Sequence, residues 1–171
     1  MGVTAVVPAY NEEATVGLVI ETLLHCPEID EIVVVSDGSS DRTAEIARTY
    51  PIRVVELTDN VGKGGAMKAG VEQARHEIIL FVDADLVGLK QEHIQALLAP
   101  IHAGRADMTV GVFEEGRLAT DLAQKIAPFL SGQRAVRRRL FQDLPHPEDT
   151  RYGIEVALSR YADKHHVPVE T

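Results

Sequence analysis

Ile78-Ile79-Leu80-Phe81-Val82-Asp83-Ala84-Asp85-Leu86 decides the fold. A continuous apolar run of this length reads as a strand buried on both faces, so the two carboxylates at its end need a partner for their charge. Two aspartates one residue apart, leaving a buried strand, suit a hard divalent cation or divide between that cation and a ligand hydroxyl. Open parallel sheets also bind ligands outside the carboxyl ends of their strands. The plainer role for Asp83 and Asp85 is to cap the following turn, and only the neighbouring segments can decide between the two.

Outward from this strand, the pattern repeats. Val3 to Val7 is an apolar, mostly β-branched run closed by Pro8, followed by Val16, Val19, Ile20, Leu23 and Leu24 at helical spacing. Asn11 reads as the cap of that helix, with Glu12 and Glu13 at its positive end. Ile32 to Val35 is a second strand ahead of Ala44, Ile46 and Ala47, and Ile52 to Leu57 a third ahead of Ala66, Met67, Ala69, Val71 and Ala74. Strands alternating with helices predict an α/β fold, a mainly parallel central sheet flanked by helices on both faces. Beyond Asp85 the spacing predicts a helix from His93 to Ile101 and a strand from Met108 to Phe113. A polar loop follows at Glu114–Thr120, then a helical stretch at Leu122–Leu130 and a short basic helix with Arg134, Arg137, Arg138 and Arg139. A last helix runs from Gly153 to about Lys164, and Val167–Thr171 reads as the opening of a strand.

At 171 residues the chain is expected to form one domain and to bury about 70% of its unfolded surface. The single cysteine, Cys26, lies among Leu23, Leu24 and Ile29 and reads as a buried structural thiol, which fits a cytoplasmic, reducing setting. The first residues lack a basic segment of the secretory kind, and no apolar run reaches the roughly 18 residues of a spanning helix. A net charge of −9 and the absence of tryptophan argue against nucleic acid as a partner.

In a parallel sheet the first three strand-to-helix turns open on the same edge as Asp83 and Asp85. Asp37-Gly38-Ser39 offers a carboxylate and a residue that lets backbone approach a ligand, while Ser39, Ser40 and Asp41 suit helix capping. Gly62-Lys63-Gly64-Gly65 offers backbone N–H groups at a helix start and one cation, a setting suited to phosphate oxygens. It has neither the P-loop nor the dinucleotide glycine spacing. Beside an acidic pair, a metal-bound diphosphate is the economical ligand.

Pro8-Ala9-Tyr10-Asn11-Glu12-Glu13, Val35-Ser36-Asp37-Gly38-Ser39-Ser40-Asp41-Arg42-Thr43, Asn60-Val61-Gly62-Lys63-Gly64-Gly65-Ala66, Asp83-Ala84-Asp85, Ser131-Gly132-Gln133-Arg134 and Tyr152-Gly153-Ile154-Glu155 together resemble the family 2 nucleotide-sugar glycosyltransferases of GT-A, Rossmann-like fold. Among relatives the chain looks most like small prokaryotic polyprenyl-phosphate glycosyltransferases and glucosyl-3-phosphoglycerate synthases. The resemblance implies a nucleotide-sugar-binding half, 1–86, and an acceptor-side half, 87–171. It implies that Pro8, Tyr10 and Glu12 frame the nucleoside, Asp37 with Gly38 meets the base, and Lys63 sits near base or diphosphate. Asp83 would then lie near ribose or sugar, or share the metal, and Asp85 would hold Mg2+ or Mn2+. Gln133 belongs with the substrate-binding residues. Ser36 stands where many relatives carry a further aspartate.

Three residues of the later half carry roles that compete with plainer ones. Glu155, in the family's late acidic position, orients the acceptor or acts as base, or is an exposed helix-start glutamate. Arg134, with Arg137, Arg138 and Arg139, clamps an acceptor phosphate, or covers a solvated helix face. His165 and His166 are weaker candidates for a third metal ligand. The expected activity is metal-dependent transfer of a hexose from a UDP-sugar, or else a GDP-sugar, to a phosphorylated acceptor such as polyprenyl phosphate at the inner membrane surface, or a small phosphorylated acid. A homodimer is compatible with this. The alternatives are a sugar-nucleotidyltransferase, disfavoured because Ala9–Glu12 replaces a glycine-rich first loop, and a truncated, non-catalytic nucleotide-sugar-binding domain.

Overall fold

Residues 1–111, 133–144 and 154–170 are described by a computed structural model, Ile154, Glu155 and Glu170 by backbone alone. In chain order the elements are β1 (Val3–Ala9), α1 (Val16–Leu24), β2 (Glu31–Asp37), α2 (Thr43–Arg48), β3 (Arg53–Leu57), α3 (Lys63–Gln73), β4 (Ile78–Phe81), α4 (Gln91–His102), β5 (Met108–Val110), β6 (Arg134–Arg137), α5 (Arg138–Gln142), α6 (Ile154–Lys164) and β7 (Val169–Glu170). The strands form one seven-stranded sheet in the order β3-β2-β1-β4-β6-β5-β7. β6 pairs antiparallel with both neighbours, and the other pairs are parallel. The expected mainly parallel α/β architecture is therefore present, and β1 and β4 lie side by side at its centre.

Two apolar layers explain why these strands are so uniformly hydrophobic. On one face Ala5, Val7, Ile32, Val34, Ile78 and Leu80 pack against Val16, Ile20 and Leu23 of α1 and Ile94, Leu98 and Ile101 of α4. On the other, Val6, Ile79, Phe81 and Val136 meet Met67 and Val71 of α3, Phe141 of α5 and Leu158 of α6. Each such side chain removed from water contributes about 1.5–3 kcal/mol, which is what commits a strand covered on both sides to continuous apolar sequence. Cys26 is buried in the first layer, where desolvation pushes its thiol up to about 11. It is a packing residue, as expected.

The structure differs from the sequence reading in three places. The helix after β1 starts at Val16, and Asn11 is no cap: it adopts φ 51°, and a turn closed by Val16 N–H on the Glu12 carbonyl precedes the helix. Strand β4 is shorter than its apolar run, although Val82 N–H still bonds the Val6 carbonyl; β5 covers Met108–Val110, and Val112 and Phe113 of the expected strand lie outside the described residues. The largest correction is that Arg134–Arg137 is a strand threaded between β4 and β5, not part of a basic helix. Ala135 and Val136 are fully buried there, an environment that two arginine-flanked residues do not advertise. The stretches Glu114–Thr120 and Leu122–Leu130 lie outside the described residues.

Close approach of α3 to the sheet depends on a single glycine. A Cβ on Gly70 would collide with Val6 Cγ1 and lie 3.2 Å from Val35 Cγ2. Because α3 carries Lys63 to the carboxyl edge of the sheet, this contact sets the depth of that edge. Gly70→Val should lower unfolding free energy by about 2–3 kcal/mol through overpacking, read as a reduced urea midpoint with an unchanged m-value.

Candidate active site

Four loops at the carboxyl edge of β1, β2, β3 and β4 enclose a cleft of about 670 Å³ lined by Pro8, Tyr10, Glu12, Asp37, Asn60, Lys63, Asp83 and Asp85 among others. The first two loops are laced together. Asn11 N–H donates to Ser39 Oγ and Glu12 N–H to Thr43 Oγ1, while Asn11 Oδ1 accepts from Ser40 N–H and Glu13 Oε2 from Arg42 N–H. These bonds satisfy the backbone N–H groups of Asn11, Glu12, Ser40 and Arg42, which stand outside the helices. Asp41 Oδ1 accepts from Thr43 N–H at the start of α2 and so fulfils the expected capping role, whereas Ser39 and Ser40 serve the lacing.

The second and third loops are joined by Asp37. Its carboxylate, 3% exposed, accepts Val61 N–H at 2.8 Å on Oδ1 and Gly62 N–H at 3.0 Å on Oδ2. The residue expected to meet a base thus also anchors the start of α3, and of the N–H groups at Gly62–Gly65 that the sequence offered to a phosphate, that of Gly62 is taken by Asp37. Gly38 has φ 67°, and a Cβ there would fall 2.6 Å from Asn60 N and 2.7 Å from the Asp59 carbonyl carbon. Its bareness therefore admits the third loop.

The fourth loop holds the acidic pair in two different states. Asp83 Oδ1 faces Lys63 Nζ at 2.8 Å, and its Oδ2 accepts from Gln133 Nε2 at 2.9 Å. Lys63, Asp83 and Gln133 thereby join α3, β4 and β6 across the cleft floor. Thr15 Oγ1 donates to the Ala84 carbonyl at 2.8 Å, pinning the residue between the two aspartates to the start of α1. Asp85 is exposed. Glu12, on the opposite wall, has its carboxyl raised above the usual range by desolvation and then by the negative charge of Asp85. Among the described residues no cation is paired with Asp85 or Glu12, so that part of the cleft carries negative potential.

The arginines of β6 and α5 lie at different depths: Arg134 is at the ligand end of β6, Arg137 at its far end. Arg134 lies opposite Phe81 and is fully enclosed, with Nη1 3.4 Å from Ser159 Oγ of α6. Arg137 lies opposite Ile78, three strand steps or about 10 Å from the ligand edge. Its Nε is 2.5 Å from Asp107 Oδ1; Arg139 pairs with the other oxygen of Asp107 and Arg138 with Glu77. The expectation that Arg137, Arg138 and Arg139 present a basic face to a phosphate is overturned, because each is matched by an acceptor within the fold. Glu155 lies in the first turn of α6, and its side chain is outside the described residues. His165 packs on Tyr161 with ring centroids 4.3 Å apart, and no cluster of three metal-ligating side chains occurs among the described residues.

Residues 4–165 match the description glycosyl transferase family 2. The chain belongs to this family. Among curated family members, 4,4'-diaponeurosporenoate glycosyltransferase of Staphylococcus aureus is 34% identical over 100 residues, which are 56% of this chain and 27% of that one. The chain thus spans about a quarter of the length of that relative. Among solved structures, glucosyl-3-phosphoglycerate synthase from Mycobacterium tuberculosis in complex with Mn2+, UDP-glucose and phosphoglyceric acid has TM-score 0.81 at 26% identity, covering 99% of this chain and 68% of that one. The same enzyme with Mg2+ and UDP has TM-score 0.82 at 25% identity. The GT-A architecture expected from the motifs is thereby established.

In this family 2 domain the cleft gathers Pro8, Tyr10, Glu12, Asp37, Lys63, Asp83 and Asp85, with Gln133 bonded to Asp83 beneath them. Arg134 is not on that surface, and the sequence reading passed over Asn60, a polar residue just after β3 on the ligand edge. Glu12 supplies a pH test. Below pH 4.5 it is protonated in folded and unfolded chains, and its contribution to stability is fully present; as pH rises through the raised folded-state value, that contribution is lost. Glu12→Gln should therefore raise the melting temperature at pH 7 without added metal, with the gain shrinking toward pH 4 in a thermal-unfolding series.

Proposed function

We propose that the domain binds a UDP-sugar in this cleft and transfers its hexose to a phosphorylated acceptor with help from a divalent cation. The observation that carries the reading is the convergence of four strand-end loops on one cleft in which exposed Asp85 faces Glu12, whose carboxyl is raised. The donor set fits a hard cation, since carboxylate oxygen is the preferred ligand of Mg2+ and Mn2+ and two unneutralised carboxylates repel until one is bound. Asp85 would hold it. Asp83 is the poorer ligand, because Lys63 and Gln133 already occupy one oxygen each. Such an ion supplies charge neutralisation for a departing diphosphate.

The chain's own residues then divide the work. Pro8 and Tyr10 line the nucleoside side, and Glu12 stands ready to accept from ribose hydroxyls. Lys63 carries the cation of the cleft floor, positioned by α3 to lie beside Asp83 and within reach of a diphosphate, where its charge counts most as the leaving group gains negative charge. Support for UDP-glucose as donor and a small phosphorylated acid as acceptor comes from the complexes of the M. tuberculosis synthase. Polyprenyl phosphate at a membrane surface is the second acceptor to test, since the three arginines that favoured it are used within the fold. No helix among the described residues is long and apolar enough to cross a membrane.

The purified protein incubated with labelled UDP- and GDP-sugars, Mn2+ and either 3-phosphoglycerate or a polyprenyl phosphate should release nucleoside diphosphate in step with acceptor glycosylation. Binding without turnover for every acceptor would favour a nucleotide-sugar-binding module instead. Asp85→Ala should abolish the Mn2+-dependent part of UDP binding in calorimetry and leave the melting temperature of the unliganded protein unchanged or raised, because it opens no core cavity and relieves repulsion with Glu12. Undiminished metal-assisted binding would remove Asp85 from the metal site.

A further inference from the structure

Thr15 stands in the cap position of α1 yet does no capping. A threonine there ordinarily accepts an N–H of the first turn on its hydroxyl oxygen, and no such bond is made. The hydroxyl proton goes instead to the Ala84 carbonyl at 2.8 Å, 69 residues along the chain. Glu12 Oε2, 3.4 Å from the same Oγ1, competes poorly for it, since a hydroxyl has one proton and the shorter contact takes it. The backbone N–H of Thr15 meanwhile donates to the Glu12 carbonyl at 3.2 Å. Thr15 is thus bonded to both walls of the cleft, to Glu12 on one side and to the residue before Asp85 on the other.

The turn that carries Asp85 has little else to fix it. Its other described backbone bonds stay within the turn, Leu86 N–H to the Asp83 carbonyl and Val87 N–H to the Asp85 carbonyl. Asp85 and Val87 are exposed, and Gly88, at φ 92°, has open space where a Cβ would stand. Ala84 is the fixed point: its methyl is buried in the same apolar layer as Val16, the residue after Thr15, and its carbonyl is held by the hydroxyl. Because a peptide group is planar, holding the Ala84 carbonyl also holds the plane from which Asp85 N and Cα start.

We propose that Thr15 is a positioning residue for the cation site: its hydroxyl sets the reach of the Asp85 carboxylate relative to Glu12, and with it the fit of a divalent cation bound together with the nucleoside diphosphate. The proposal rests on the UDP-sugar and cation reading above. A small cation such as Mg2+ tolerates little departure from oxygen ligands at about 2.0–2.1 Å, so an Asp85 carried on an unfixed peptide loses affinity for metal while the other nucleotide contacts persist. A side chain that merely supported the fold would weaken all of these contacts together.

UDP affinities of the whole chain, measured by displacement titration in Mg2+, in Mn2+ and in EDTA with thermal unfolding followed in parallel, separate the two roles. The wild type should bind UDP more tightly with metal than in EDTA. Thr15→Val, which keeps the shape of the side chain and removes its hydroxyl, should cut that metal-dependent gain roughly tenfold, the size of one well-placed hydrogen bond, and leave the affinity in EDTA unchanged. Thr15→Ser, which keeps the hydroxyl, should restore the gain. Should the valine variant fail to fold, Thr15→Ala makes the same comparison. A full metal-dependent gain without the hydroxyl, an equal loss of affinity with metal and in EDTA, or no restoration by serine overturns the assignment while leaving the donor and cation reading intact. A wild type that binds UDP no better with either ion than in EDTA removes the cation reading, and the role of Thr15 with it.

Discussion

The interior of β4 has no room for a carboxylate, and much of the architecture of the cleft follows from that constraint. β4 is enclosed at all four positions, with helices over both faces and β1 and β6 at its sides, so a carboxylate within it would pay the full cost of desolvation. The first place where the chain can carry one is beyond the last ladder bond, and Asp83 and Asp85 stand there. The same holds for the strands beside it: Asp37 ends β2, and Glu12 follows β1. Parallel pairing turns four separate escapes from the core into one concentration of carboxylates along a single edge.

Once gathered, these groups have to be prevented from driving one another apart. Two are neutralised or hydrogen-bonded internally, Asp83 by Lys63 and Gln133 and Asp37 by the N–H groups that open α3, where the helix dipole also favours a negative charge. Two are not. Desolvation, and after it the negative charge of Asp85 across the cleft, holds the carboxyl of Glu12 above the usual range. The division is physical: the paired carboxylates fix where the loops stand, and Asp85 and Glu12, without ion-pair partners among the described residues, are the groups on which the proposed cation site rests. α3 is the link between the groups, because Asp37 holds its start, Gly70 sets its depth and Lys63 is its first residue.

Basic residues illustrate the opposite error of attraction. Four arginines within Arg134–Arg139 in a chain of net charge −9 suggested an anionic partner, yet the described pairs consume three of them against Asp107 and Glu77 and enclose the fourth. Asp107 and Glu77 are far away in sequence and carry no local mark as partners. An acidic surplus in the whole chain makes an internal match for any arginine cluster more available, not less.

By itself the sequence determined the alternation of strands and helices, the burial of β1, β2 and β4, and the edge on which the polar loops open. Those features depend on local periodicity and on apolar runs bounded by Pro8, by Ser36-Asp37-Gly38 and by Asp83, all of which can be read within a dozen residues. The motif resemblance added the family, and the matched range bears it out. Tertiary structure alone decided that Arg134–Arg137 enters the sheet antiparallel, that Asp37 turns to the third loop, that Gly38 is bare for Asn60 and that Asp83 is held by Lys63 and Gln133. Each of these is a pairing across 20 to 59 residues whose partners carry no mark of it in their own neighbourhoods. Local propensity carries no information about such pairs, because their energy exists only when packing has brought both partners to the same edge and excluded the water that would otherwise serve either one.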